Sequence, residues 1–413
     1  MQQVVVTGLG VVSPIGCDPA AFFSSLTAQR SGVVRHPGDA DYALDPLPIA
    51  PVDFAPENHF TRLQLGQLDR HTQFALVAAR QAMREAMPDL SEAEQLRAGV
   101  FWGTGMGGAS TLEATYRSLI GTVDKRIRPL TVVTTMANAA AAQLSIEFGL
   151  LGPMLAISNA CASSAMAIGE ALRAIRLGDI DVALVGGSDA LLTPGTLRAW
   201  QVLGTLAEVN EAQPAHSCKP FDLRRSGLVI GEGAAALVLE SATRARKRGA
   251  PIYAELCGYG NTADGVNLAR PDSGGQSRAM QAALTNARLR PEQIGYLNAH
   301  GTATKIGDAI ESEAIMRTFG ASAGQLAVSS SKALHGHLMG AAGAVEMIAT
   351  LLALKHRFAP PTAHLTQADP ACPLNYLPGA GRELPADAAV MSNSFAFGGS
   401  NAVLIARQYG SNP

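Results

Sequence analysis

The chain has 413 residues, 47% of them apolar, with 32 Lys and Arg against 34 Asp and Glu and a formal charge of −2. This is ample for a large core in more than one lobe, with no basic excess for nucleic acid and no run of ~18 apolar residues for a membrane span. Five widely spaced cysteines, odd in number and without a Cys-x-x-Cys pair, argue against a disulfide framework or a zinc site and fit a reduced cytoplasmic protein.

The first residues, Met1 to Val6, lack a basic region before a sustained apolar core, so no signal peptide is expected. Val4-Val5-Val6-Thr7-Gly8-Leu9-Gly10 reads as a strand running into a glycine turn. It falls short of a dinucleotide fingerprint, because Ser13 stands where the third glycine belongs and no clean strand-ending acid follows about twenty residues on. Residues 31–62, irregular and rich in Pro, Asp and His, read as a surface excursion. Asp69 to Met87 is a helix with Phe74, Ala75, Val77, Ala78 and Ala82 on its apolar face. Ala98 to Trp102 is a buried strand ending in Gly103-Thr104-Gly105-Met106-Gly107-Gly108. Lys125-Arg126-Ile127-Arg128 is a basic cluster, ordinarily a solvated turn and otherwise a docking point for an acidic partner. Thr134 to Phe148 reads as one helix.

Leu155 to Asp179 is the stretch on which the chain turns. A short apolar strand, Leu155-Ala156-Ile157, breaks through Ser158-Asn159-Ala160 and presents Cys161. Small residues follow, and then Ile168, Ala171, Leu172, Ile175 and Leu177 at helical spacing, until Gly178-Asp179 stops the run. Cys161 is thus expected at a strand-to-helix turn, where free N–H groups and the helix dipole favour a thiolate nucleophile. A lone cysteine in an apolar stretch is ordinarily a core residue. Its company further along the chain sets this one apart.

Asp181 to Gly187 and Ala234 to Glu240 read as strands, Thr243 to Arg248 as a short helix, and Ile252 to Leu256 as another strand. The second half then echoes the first. Strand Leu326–Ser330, a polar turn with Lys332, Gly336 and His337, and a small-residue helix from Leu338 to His356 repeat the plan of Leu155 to Asp179. Ala389 to Asn393, the loop Phe397-Gly398-Gly399-Ser400 and strand Ala402–Ala406 repeat Val182 to Gly187 and the strand after it. Ile294 to Asn298 before His300 echoes Val100 to Trp102 before Gly103. Two similar halves, 1–250 with the cysteine and 251–413 with the histidines, are the economical explanation. Alternating strands and helices imply an α/β fold of parallel sheets covered by helices.

Four motifs fall at strand ends: Asn159 to Ser164, Asn298 to Thr304, Ser331 to Leu338, and Asn393 to Asn401. Ligands gather at the carboxyl ends of strands in such folds. One Cys, two His and one Lys meeting there make a nucleophile with electrophilic helpers. His335 is the weaker candidate beside His337, because it sits mid-turn.

Together these motifs resemble closely the β-ketoacyl-[acyl-carrier-protein] synthases of the elongating KAS I/KAS II type, in the thiolase superfamily, from VTGLGVVSPIG to FGGSNAVL. The resemblance implies a thiolase-like five-layered αβαβα fold with two pseudo-repeated halves. It implies that Cys161 takes the acyl chain from phosphopantetheine, that His300 and His337 stabilise the oxygen anion of malonyl decarboxylation, and that Lys332 supports the site with Glu346. Asp308 and Glu311 are further supporting acids. The N–H groups of Cys161 and Phe397 would form the oxyanion hole, with Phe397 and Phe395 on the gate. Met106, Thr134 and Asn138 would line the acyl pocket, and Lys125, Arg126 and Arg62 would dock the acyl carrier protein. No metal or other cofactor is implied, since malonyl and acyl thioesters ride on the carrier's phosphopantetheine, and the partner is a second copy (homodimer) or a chain-length factor (heterodimer).

Some positions depart from the pattern. Gly204 replaces an arginine of the carrier-facing surface, neutral Gln67 accompanies Arg62, and Ala396 stands in the gate where glycine is usual, which is expected to stiffen it. These features leave two pathways open: fatty-acid elongation, or a dedicated ketosynthase of a type II polyketide or aryl-polyene system. A non-catalytic chain-length factor would lack Cys161. A thiolase would carry a second cysteine where Phe397-Gly398-Gly399 stands.

Overall fold

The computed structural model of the protein describes residues 2–87, 90–120 and 127–410. Ten strands join in one mixed sheet. In chain order they are β1 (Val4–Val12), β2 (Ala98–Gly103), β3 (Met154–Ile157), β4 (Val182–Asp189), β5 (Gly233–Ser241), β6 (Ala254–Ala263), β7 (Ile294–Asn298), β8 (Ala327–Ser329), β9 (Ala389–Phe395) and β10 (Ser400–Arg407). Their spatial order is β8-β7-β9-β10-β6-β1-β5-β4-β2-β3. Numbered within itself, each run of five strands has the order 3-2-4-5-1. The pairing directions match as well: β2 is parallel to β3 and β4, as β7 is to β8 and β9, while β5 and β10 are antiparallel to both neighbours. The two runs meet where Val5 and Val6 of β1 pair with Glu255 and Ala254 of β6.

The sheet is therefore mixed where the sequence pattern implied parallel strands. Only Ala396-Phe397-Gly398-Gly399 joins β9 to β10, too short a link for the crossover that a parallel pair needs.

Helices α1 (Arg70–Ala86) and α2 (Ala139–Phe148) pack on the outer face of the first five strands. Helices α4 (Ser273–Ala287) and α5 (Lys305–Phe319) cover the outer face of the second five. Between the two runs lie α3 (Ser163–Leu177) and α6 (Ala342–His356). The result is helix, sheet, helix, sheet, helix. Every residue of α6 from Ala342 to Leu354 is buried, as expected of a helix apolar on all sides. Its small residues let it touch α3: a Cβ on Gly343 would lie 2.7 Å from the Ala165 Cβ.

Several local expectations are corrected. Gly8 and Gly10 lie inside β1 and form no turn; they let α1 press onto the strand, since a Cβ there would fall 2.1 Å from Ala82 O and 1.9 Å from Ala78 O. Residues 31–62 are not simply a surface excursion. Val34–His36 and Leu47–Ala50 form a small sheet with Ile230–Gly231, and Leu47, Ile49, Ala50 and Val52 are buried. The helix expected over 134–148 is two, Thr131–Thr135 and α2, because Met136 turns extended (ψ 146°) where Gly107 and Gly108 press against residues 134–137. Helix α6 starts at Ala342, after a 3₁₀ turn at Met339–Ala341. No helix among the described residues is long and apolar enough to cross a membrane.

Candidate active site

Strand β3 ends at Ile157, and the chain enters a 3₁₀ turn, Ala160–Ala162, that runs into α3. Ala160 is left-handed at φ +47°, a conformation disfavoured for a residue with a Cβ. Ser163 holds this tight turn: its Oγ lies 2.6 Å from Ala160 O and accepts from Asn159 N–H at 2.8 Å. The turn aims Cys161 at the centre of the molecule, with only 5% of it exposed.

His300 follows β7. Its N–H and that of Gly301 donate to the Glu311 carboxylate at 2.9 and 2.7 Å, and Asn393 Nδ2 donates to the same group at 3.2 Å. Asp308, one turn earlier on α5, accepts from Ala303 N–H at 3.1 Å and Phe221 N–H at 2.8 Å. The two supporting acids thus shape the loop that carries His300, and neither bonds to the imidazole. Burial raises both carboxyls, that of Asp308 up to about 7.

His337 comes from the turn after the short helix Lys332–His335. Its Nε2 lies 2.9 Å from Cys161 Sγ, and its Nδ1 accepts from Met339 N–H at 3.2 Å. That acceptor role places the ring proton on Nε2. The rings of His300 and His337 meet edge to face at 5.4 Å. Burial and the Lys332 charge hold both imidazoles well below the usual range, so both are neutral. Lys332 forms an ion pair with Glu346, each side chain 1% exposed. His335 is a satisfied core residue: Nδ1–H donates to Gly336 O at 2.8 Å and Nε2 accepts from Ser331 Oγ at 2.9 Å.

The ionisation of Cys161 corrects the sequence reading. Burial pushes the thiol up to about 11, although the Lys332 charge and the N–H groups of Phe397 and of Cys161 itself pull it down. Desolvation outweighs the helix terminus, so the resting group is a thiol whose anion is stabilised only as it forms. Those two N–H groups both face the Cys161 sulfur.

Phe395 ends β9 with its ring 6.2 Å from His300, and Phe397 lies on the glycine loop, 5.9 Å from the Trp200 ring. Gly398 and Gly399 take φ of +84° and +74°, which glycine alone adopts without strain. A cavity of about 510 Å³ opens from Cys161, His300, Phe395 and Phe397 past Thr302 and Thr304 to a rim with Arg270 and Lys305. The threonines, the rim and Trp200 escaped the sequence reading. Thr302 and Thr304 stand inside a motif singled out for its histidine, whereas nothing local marks Trp200 or Arg270.

Met106, Thr134 and Asn138 do not line this cavity. Met106 is 55% exposed and lines a second, open recess of about 720 Å³ with Leu112, Tyr116 and Ile120. Thr134 lies beside Gly108, its hydroxyl donating to Gln67 O at 3.2 Å, and Asn138 is exposed at the start of α2. Arg62 is exposed on a short helix, Arg62–Leu65. Lys125 and Arg126 lie outside the described residues.

The donor atoms of Cys161, His300 and His337 lie within 4.8 Å of one another, a spacing compatible with a soft metal ion. The tautomer of His337 opposes it, since Nε2 presents an N–H and not a lone pair. Two imidazole edges beside a nucleophile suit a developing oxygen anion better than a cation.

A family model described as the N-terminal domain of β-ketoacyl synthase matches residues 1–245, and one described as its C-terminal domain matches residues 253–366. A 3-oxoacyl-[acyl-carrier-protein] synthase 2 of Staphylococcus aureus (strain COL) is 38% identical over 416 residues, covering 99% of each chain. Nodulation protein E of a Rhizobium species (strain N33) is 39% identical over 407 residues, covering 98% of this chain and 99% of its own. Among solved structures, the ishigamide ketosynthase/chain length factor superposes with a TM-score of 0.90 at 33% identity, over 99% of this chain and 100% of that one.

Proposed function

The chain belongs to the β-ketoacyl synthase family, and we propose that it joins an acyl thioester to malonyl-acyl-carrier-protein by decarboxylative Claisen condensation, in fatty-acid chain elongation. The observation that carries this reading is the Cys161 sulfur 2.9 Å from a neutral, Nε2-protonated His337, with His300 edge-on beside it.

Three steps follow from these residues. The Cys161 sulfur attacks the acyl thioester carbonyl; the bond to the pantetheine sulfur breaks, and the thiol proton leaves with it. The N–H groups of Phe397 and Cys161 hold the tetrahedral oxyanion, each worth about 3 kcal/mol. Malonyl thioester then loses CO₂. The pair from the broken C–C bond moves to the enolate oxygen, which the imidazole N–H groups of His300 and His337 stabilise with no base required. The α-carbon finally attacks acyl-Cys161, forming the new C–C bond and expelling the Cys161 thiolate, which takes up a proton. Release of CO₂ drives the cycle, so the chemistry needs no metal or nucleotide cofactor.

The first half, 1–250, supplies the nucleophile in this scheme, and the second, 251–413, the two histidines and the gate. The carrier protein approaches the rim of Arg270 and Lys305, with Arg62, Lys125 and Arg126 as further cations for its acidic face. Strand β3 is an exposed edge, with Met154 38% and Leu155 46% exposed and Ile146 and Leu151 nearby in sequence. An unpaired apolar edge supports pairing with a second chain, in a homodimer or with a chain-length factor. Five unpaired thiols support work in the cytoplasm.

A second reading, a dedicated ketosynthase of a polyketide or aryl-polyene pathway, draws on the likeness to the ishigamide ketosynthase/chain length factor and on Gly204 at the carrier-facing surface. Intact mass after incubation with a panel of saturated, polyene and aryl acyl carriers, then malonyl carrier, separates the two. A Cys161-dependent adduct with saturated chains, extended by malonyl carrier and absent in Cys161→Ala, is the expected result. Preference for polyene or aryl chains would favour the second reading, and no adduct from any carrier with the protein alone would point to a missing partner subunit or to an error in the nucleophile assignment.

A further inference from the structure

Asp189, the last residue of β4, is fully buried, and the chemistry above makes no use of it. Its carboxylate gathers donors from two separate loops. From the loop after β2, Thr104 Oγ1 donates to Oδ1 at 2.8 Å, Gly105 N–H to Oδ2 at 2.8 Å and Met106 N–H to Oδ1 at 3.4 Å. From the turn after His337, Gly340 N–H donates to Oδ2 at 2.6 Å. The loops are pressed together there: a Cβ on Gly340 would lie 2.3 Å from Gly105 N. Between His337 and Gly340 stands Met339, left-handed at φ +50°, a conformation its side chain disfavours. The Met339 N–H is the group that bonds His337 Nδ1. On the other side, Thr104 O lies 3.2 Å from Ser163 Oγ, the hydroxyl that holds the nucleophile turn.

We propose that Asp189 is a positioning residue: it clamps Gly340 so that the strained Met339 keeps its N–H on His337 Nδ1, which keeps the ring proton on Nε2 as the donor that malonyl decarboxylation needs. The proposal rests on the donor role proposed for His337. Acyl transfer to Cys161 leans on the backbone N–H groups of Phe397 and Cys161, so the clamp bears on the second half-reaction more than the first. An acid that merely braced the fold would affect both alike.

Asp189→Asn keeps the size of the side chain and leaves one acceptor oxygen for the donors that two carboxylate oxygens now serve. In this variant, acylation of Cys161 read by intact mass is expected within about threefold of wild type, while CO₂ release from malonyl carrier on the acylated enzyme falls about ten- to hundredfold. Nitrogen-15 spectra of histidine-labelled protein, with His337 assigned by its absence in His337→Gln, give a readout independent of turnover. Wild type is expected to show a protonated Nε2 and a bare Nδ1, and Asp189→Asn to show the two resonances drawing together as tautomers mix. Should Asp189→Asn fail to fold, Thr104→Val removes the hydroxyl that holds Oδ1 and so loosens the carboxylate that binds Gly340. It is expected to lose decarboxylation about threefold with acylation unchanged. Equal losses in both half-reactions, or an unaltered tautomer, would overturn the clamp. Absence of malonyl decarboxylation in wild type would instead overturn the proposed function, with the nitrogen spectra still deciding the clamp.

Discussion

Lys332→Met tests how the centre of the site is held together. Lys332 and Glu346 are each 1% exposed, and beyond their mutual contact neither charged group has a hydrogen-bond partner among the described residues. Burial raises the Glu346 carboxyl from 4.5 to about 7, although the ammonium pulls it down. A carboxyl raised in the folded state contributes stability that is complete below pH 4.5 and drains away as pH rises through about 7. Without the ammonium the folded value climbs further, and the drain continues where wild type has levelled off. At pH 6 Glu346 is mostly protonated in both proteins, so the pH-dependent part of the difference is small there, beside a constant offset from removing the buried ammonium. Above pH 7 the deficit should grow with pH, by at most about 1.4 kcal/mol per unit while Glu346 stays protonated in the variant. Urea unfolding of both proteins at four values from pH 6 to 9 measures this. The double variant Lys332→Met/Glu346→Leu should show no such slope, because the group that titrates is gone. A deficit that is constant with pH, or that shrinks as pH rises, would refute the reasoning.

Alkylation of Cys161 by iodoacetamide should accelerate about tenfold per unit from pH 7 to 10, as expected for a thiol at about 11; a plateau below pH 9, read by intact mass, would contradict the burial argument. Gly10→Ala should lower stability by about 1–3 kcal/mol or more, because its Cβ would meet the Ala78 carbonyl, while Gly324→Ala, with nothing within 4 Å, should be neutral or gain about 0.4–1 kcal/mol. Thermal melts of the two variants make the comparison. If Met106 bounds the acyl pocket, Met106→Ala should lengthen the chains accepted; an unchanged acyl profile removes it from the account.

The strand and helix periods along the chain told most of the elements apart, and the repeated strand–turn–helix plan announced two similar halves. Both signals are local and depend on side-chain spacing alone. Cys161, His300, Lys332 and His337 were legible because polar groups at the ends of apolar strands, flanked by small residues, are costly unless they are used. The glycines of β1 misled, since a glycine that admits a neighbouring helix looks the same in sequence as one that makes a turn. Met106 and Thr134 were placed by resemblance; Met106 opens on a different recess from the one at Cys161, and Thr134 lines neither.

The sequence by itself determined the element pattern, the reactive residue types and the family to which they belong. Only the tertiary structure decided what those residues are chemically. The Cys161 thiol rests protonated because desolvation depends on how completely distant segments enclose it, which no local spacing encodes. The His337 proton sits on Nε2 because one backbone N–H, in a strained turn packed beside Asp189, faces Nδ1. The spatial order of the strands likewise depends on which distant segments become neighbours, which no single stretch of chain contains.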